Sequence, residues 1–359
     1  MDSTIRSCLL VLTFIAVTAC LYITRDLITP FAIAIFIWLI IDTFARWIDG
    51  LSSKLPYWFA LIIAVLTVIA AIVGIIIIVA DTTVSVVDDY SRYQERISEI
   101  FSWAGNLTGQ ENLSFTSLNQ RFGIMDKVQS GLSGLLASVQ GVLSNFMLIA
   151  FYVIFLFAAQ STFPKKMDDL FPDLNSRAQA QKVGERIRHS VEKYIGVQTL
   201  ISLMQTVVSY IAMAALGLDN ALFWALVIFI LNYIPIVGGL AAVALPCMFG
   251  LVQFGVSPRL GILAGALFGA QFVIGNTIQP KMMGDSMNLS ALVVVLSLTL
   301  WGAMWGGVGA FLSAPLTVII MIILAQFPTT RWIAVLLSAD GEPDMDEVEK
   351  KAAKATPSL

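Results

Sequence analysis

The chain has 359 residues, 58% of them hydrophobic and 13% charged, with a formal net charge of −3 and a mean hydropathy of +0.84. A soluble domain carries about 25% charged residues, so a water-soluble globular protein is excluded. The chain reads as an all-α, polytopic membrane protein whose first partner is the lipid bilayer. Nothing basic and exposed marks it for nucleic acid. Cys8, Cys20 and Cys247 all lie in apolar segments, which leaves neither a disulfide framework nor a metal cluster to expect; no cofactor is called for.

In chain order the apolar segments are 5–24, 27–41, 57–80, 142–160, 195–217, 220–235, 237–256, 259–279, 289–304 and 306–326. A helix needs roughly 20 apolar residues to cross a bilayer, so 27–41, 220–235 and 289–304 are short. About eight membrane segments follow, or up to ten if two C-terminal hairpins cross fully. Residues 1–80 form the N-terminal transmembrane helices. The first run follows Arg6 and shows no small-x-small cleavage site, so it reads as an uncleaved helix rather than a signal peptide.

Residues 81–141 are read as an extracytoplasmic helical hairpin. Val86, Tyr90, Tyr93, Ile97 and Ile100 recur at helical spacing, as do Val128, Leu132, Leu135, Val139 and Val142, with GNLTGQENLSF at the tip. A transmembrane helix occupies 142–160. Residues 161–193 form a basic cytoplasmic loop with Val183, Ile187, Val191 and Tyr194 on one helical face, beside a solvated His189. That loop holds seven Lys and Arg, whereas 81–141 holds four against seven acids. The positive-inside rule puts 161–193 and both termini in the cytoplasm. Residues 328–359 are a cytoplasmic tail, and its end, GEPDMDEVEKKAAKATPSL, reads as disordered.

The C-terminal half repeats itself. GLDNAL (217–222) is followed by an apolar stretch, Gly238–Gly239 and Pro246; GDSMNLSAL (284–292) is followed by an apolar stretch, Gly306–Gly307 and Pro315. Transport repeat 1 spans 194–258 and repeat 2 spans 259–327, each a full-length helix and then a broken hairpin. The lead helices run in opposite directions, so the copies are expected to be inverted, an architecture recurrent in secondary transporters. The breaks are either turns at the interface or re-entrant tips, where freed backbone groups meet a solute or ion.

No GxxxxGK[ST], HExxH or GxSxG signature is present, and no enzyme activity is expected. The candidate path residues are polar or helix-breaking. Gln198, Ser202, Gln205 and Ser209 lie at i, i+4, i+7 and i+11 on one helix face; interhelical bonding explains such a stripe equally well. Asn232, Pro235, Gly238 and Gly239 mark the first break. Gln271, Asn276, Gln279 and Lys281 cluster around Pro280, and of this stretch Asn276, Gln279, Pro280, Lys281 and Gly284 are counted with the path. Gly261, Gly265 and Gly269 form a face suited to close helix approach. Asp42, Asp81, Asp219 and Asp285 all sit at segment ends, and Asp219 and Asp285 read as helix caps.

NYIPIVGG (232–239) and NTIQPKMMGDSMNLSALVVVLSLTLWGAMWGGVGAFLSAPL (276–316) give the chain a resemblance to the AI-2E (autoinducer-2 exporter) transporter family, covering nearly the whole length. The resemblance implies export of a small signal in some members, sodium or lithium–proton exchange in others, and a homo-oligomer, with pentamers implied. Many members carry an acid two residues before the asparagine of the second motif; here that position is Ile274, which weakens a proton-coupled reading. The expected function is movement of a small solute or ion without an ATPase of its own. A channel-like pore, or a scaffold acting through the external hairpin, is the alternative.

Overall fold

The computed structural model describes residues 3–51, 56–88, 92–100, 123–283 and 288–343. The expected tip GNLTGQENLSF, Gly284, Asp285 and the last sixteen residues lie outside the described residues, as do the side chains of 124–143. The elements are helical: α1 (Ser3–Ile23), α2 (Arg25–Leu51), α3 (Tyr57–Asp88), α4 (Ile124–Leu170), α5 (Leu174–Ala215), α6 (Ala221–Leu231), α7 (Val237–Phe254), α8 (Pro258–Val273), a π turn (Ile274–Ile278), α9 (Gln279–Met283), α10 (Ala291–Ala325) and α11 (Arg331–Leu337). Residues 92–100 are also helical. Among the described residues seven helical stretches are long and apolar enough to cross a membrane, and α6 is apolar but short. The protein is all-α and multi-pass.

The chain divides into two compact units. The first comprises 1–57, 145–196 and 283–359. Its core sits between α1, α2 and α10, where Trp301, Met304 and Trp305 pack on Leu21, Ile28 and Ala32. The Trp305 indole N–H donates to the Leu21 carbonyl at 3.3 Å, and Phe36 meets Phe311 edge-on with ring centroids 5.0 Å apart. α10 is not one rod. Gly306 takes φ +62° and ψ −140° inside it, and Trp301 donates to Thr317 at 3.3 Å. Sixteen residues of straight helix would hold those two about 24 Å apart, so the chain folds back on itself here. Gly309 permits the turn, because a Cβ there would fall on the Trp301 carbonyl.

The sequence run 27–41 is extended to a 27-residue helix, Arg25–Leu51, despite Asp42 and Arg46. Asp42 stands at a segment end in sequence, yet in the fold its side chain is 0% exposed, a correction to reading it as a boundary residue. Arg46 donates to it at 2.6 Å and the Tyr57 hydroxyl at 2.6 Å. Arg188 of α5 also bonds it and then reaches Glu192 at 2.6 Å. α2, α5 and the start of α3 are tied at one carboxylate, whose charge is compensated within the cluster, as burial requires. The chain end is anchored as well. Ser290 and Ala339 donate to the Leu337 and Asn288 carbonyls, and Arg186 donates to the Pro343 carbonyl at 2.7 Å. Residues 341–343 are therefore ordered against the fold, contrary to the expectation of disorder from Gly341 onward.

The second unit comprises 58–144 and 197–282. Met213, Leu218, Ala225, Ile228, Ala242, Leu263 and Leu267 form its core, contributed by α5, α6, α7 and α8 and the turn before α6. α6 and α7 make a helical hairpin whose tip is 232–236. Residues 92–100 dock on this unit: Tyr93 is buried with its ring 5.5 Å from that of Phe249, and Arg92 pairs with Asp219 at 3.5 Å. Asp219 therefore makes an ion pair and does not cap α6; the capping position is Asn220, at φ 54°, with no side-chain cap bond. Gly261, Gly265 and Gly269 have open space where a Cβ would stand, so the close helix approach expected of that face is absent within the described residues of the chain.

Candidate functional site

The stripe on α5 faces inward. Gln198 is 3% exposed, Gln205 2%, and Ser202 and Ser209 0%. A 42-residue helix tolerates this row because one face carries it while Leu200, Leu203, Val207 and Val208 cover the opposite side. The Gln198 amide donates to the Asn232 carbonyl at 2.6 Å and accepts from Gln279 at 3.4 Å. One side chain thus joins the first hairpin's tip to the segment after α8. Tyr233 adds a hydroxyl contact with Thr199 at 2.6 Å.

The tip itself is an unusual turn. Val237 donates to the Pro235 carbonyl at 2.6 Å across Ile236, which sits at φ +62°, ψ −61°. This γ-turn conformation is strained, and more so for a β-branched residue. Gly238 then returns to helix with its Cα against the Leu231 carbonyl, where a Cβ would collide with backbone. At Gly239 a Cβ would strike the Gln271 amide nitrogen instead. The two glycines do different things: the first closes the turn, the second makes room for a side chain of α8. The two glycine pairs that the sequence sets side by side, 238–239 and 306–307, differ in geometry. The second break has its positive φ at Gly306, but the close-packed glycine is Gly309, and Gly307 has open space around it.

After α8 the backbone widens into the π turn, with the Gln279 N–H bonding the Ile274 carbonyl five residues back. Single π turns inside α-helices mark functional sites often. Gln271, Gly275 and Gln279, four residues apart, share one face across this turn. Together with Gln198, Gln205 and Asn232 they line a small cavity, closed on its apolar side by Ile201 and Ile274. It has room for about one water molecule. No charged side chain lines it.

Of the residues expected from sequence, the fold brings together Gln198, Gln205, Asn232 and Gln279. Ser202 is buried on the same stripe without lining the cavity, and its hydroxyl, like that of Thr206, has no partner. Pro235, Gly238 and Gly239 form and support the turn. Asn276 lies on the exposed side, bonding back to the Phe272 carbonyl at 3.2 Å, and Pro280 and Lys281 are also exposed. Gly284 is outside the described residues. Gln271, left out of the expected path, is central; its i, i+4, i+8 spacing with Gly275 and Gln279 was the available signal. Among the described residues no group of three His, Cys, Asp or Glu could hold a metal.

The sequence pattern described as "AI-2E family transporter" matches residues 11–329. The chain belongs to the AI-2E transporter family. A candidate transport protein of Haemophilus influenzae is 28% identical over 92% of this chain and 96% of its own length. The candidate transport protein YhhT of Escherichia coli is 27% identical over 90% and 91%. The AI-2 transport protein TqsA of Escherichia coli is 36% identical over 58% and 59%. This AI-2E family member is accordingly a multi-pass membrane transport protein and not an enzyme. The position where the family resemblance expects an acid, Ile274, is an apolar wall of the cavity.

Proposed function

We propose that the protein is a carrier that moves a small polar solute across a bacterial inner membrane through the second unit, without hydrolysing ATP. The supporting observation is the convergence of five amide side chains, Gln198, Gln205, Asn232, Gln271 and Gln279, on one cavity beside the broken α6–α7 hairpin. Polar groups at membrane depth are costly and are kept where a solute path needs them. The cavity has room for about one water molecule, narrower than an open channel needs, which favours a carrier. The name of TqsA makes an AI-2-like signal one candidate cargo, and a monovalent ion is the other.

Both hairpins are read as re-entrant. α6 has 11 residues, about 16 Å of helix, against a hydrocarbon core of about 30 Å. Of the limbs of α10 on either side of Gly306, 291–305 spans about 22 Å and falls short of a crossing, while 307–325 spans about 28 Å and nearly makes one. Inverted repeats 194–258 and 259–327, cytoplasmic termini and a homo-oligomer complete the proposal. Reconstitution into liposomes tests it. Gln198→Leu should abolish saturable flux while leaving the elution volume unchanged, and flux that survives this variant refutes the assignment.

A further inference from the structure

The tip of the first hairpin is held by few bonds. Its Asn232 carbonyl accepts from Gln198 at 2.6 Å, Tyr233 meets Thr199 at 2.6 Å, and the strained Ile236 is 63% exposed. Beside it, three polar atoms of the cavity's lining residues are buried and have no partner: Gln205 Oε1, Gln271 Oε1 and Asn232 Nδ2. The Gln205 amide nitrogen donates to Ser209 at 3.3 Å, and the Gln271 amide presents its nitrogen to Gly239 and Gly275. In both side chains the oxygen is the end left over. At the second break, by contrast, the Trp301 indole and the Ser313 and Thr317 hydroxyls all find partners.

Two acceptors and one donor around a space with room for about one water molecule are the complement of that molecule, which gives two bonds and takes one. Three buried polar groups left unpaired would be costly, and no charged side chain lines the space to hold an ion. We infer that one buried water molecule is bound here as a structural ligand, donating to Gln205 and Gln271 and accepting from Asn232, and that it latches the tip of the first hairpin to α5 and α8. A bridging water is nearly as good as a direct hydrogen bond, but the joint it makes is wet, whereas the second break is packed under the indoles of Trp301 and Trp305. Gln205 becomes a positioning residue. Its amide nitrogen bonds within α5, so any hold it has on the tip passes through the water. The site does not depend on what the second unit carries; if that unit is the path, this joint must part before anything larger than water can enter.

Two measurements on the full-length protein in nanodiscs test this. A cryo-EM map of wild type, sharp enough to show ordered water elsewhere in the protein, should show one water within hydrogen-bond distance of all three atoms; a map with nothing between them overturns the inference. Hydrogen–deuterium exchange reads the latch through the tip amides of Ile234, Val237 and Gly238, each of which donates within the turn. Gln205→Met, of similar volume, should speed their exchange about three- to tenfold, the worth of one neutral hydrogen bond, and Gln271→Met should give an increase of the same size. Amides of 302–310, around the second break, should exchange as in wild type, which separates loss of the latch from general unfolding. Tip exchange unmoved by Gln205→Met overturns the inference, and so does an increase shared equally by 302–310. None of these readouts involves flux, so their failure leaves the transport reading to its own test with Gln198→Leu.

Discussion

The adjacent glycines of the first hairpin should fail in opposite ways when each is changed to alanine. At position 238 the new Cβ meets the Leu231 carbonyl oxygen and carbon, which are backbone atoms of the turn and cannot move without opening it. Overpacking costs about 1–3 kcal/mol, and a rigid obstacle places this site at the upper end. Helix propensity returns at most about 1 kcal/mol. Gly238→Ala should therefore lose about 2 kcal/mol of stability. At position 239 the obstacle is the end of the flexible Gln271 side chain. Rotating it off its preferred conformer costs about 0.5–1.5 kcal/mol, which the same propensity gain offsets. Gly239→Ala should fold as wild type and yet transport poorly, because the amide it displaces belongs to the cavity. The assay pairs the folded fraction after heating in nanodiscs with flux per folded molecule. A stable, active Gly238→Ala, or a Gly239→Ala that loses folded protein while retaining flux per molecule, would refute the division of labour.

Asp42→Asn leaves Arg188 its bond to Glu192 and lets the 43%-exposed Arg46 reach solvent; the loss should sit at the low end for a broken buried pair, about 3 kcal/mol, read as a lower unfolding temperature with unchanged flux. Trp301→Phe removes the bond to Thr317 and should cost about 1 kcal/mol, with thermal unfolding as the readout. Asp173 accepts from the Ser176 N–H and hydroxyl, which hold its carboxyl below the usual aspartate range. Its support for the start of α5 is complete above that usual range and is lost as pH falls through the depressed value, so an acid titration of stability should change shape in Asp173→Asn. A membrane-impermeant thiol reagent applied outside cells should label Asn112→Cys and spare Gln179→Cys; the reverse pattern sinks the orientation and the inverted repeat.

Much of the architecture was legible because apolar length and helical spacing are local properties. The α5 stripe shows how far this goes: four polar residues at helical intervals predicted one face, and all four are buried. What was hidden depended on partners distant in sequence. Asp42 reads as a boundary until Arg188, 146 positions away, meets it. Asp219 reads as a cap until Arg92 takes it. Gly309 could not be told from Gly307, because only the fold-back at Gly306 brings the Trp301 carbonyl against one of them. Gln271 was visible at a four-residue spacing with Gly275 and Gln279, but its role needed Gln198, Gln205 and Asn232, which only the fold brings to the same cavity.

α4 runs unbroken for 47 residues, of which Ser144–Phe163 is the apolar span. At 1.5 Å per residue the helix is about 70 Å long, with about 30 Å beyond the apolar span on the side of Ile124 and about 10 Å on the side of Leu170. Mechanically it is a lever with its fulcrum in the lipid. A 10° tilt about the middle of the span would swing the Ile124 end by about 8 Å and the Leu170 end by about 4 Å in the opposite sense. The two ends of α4 are thus coupled through its own backbone hydrogen bonds alone, with no chain of side-chain contacts between them.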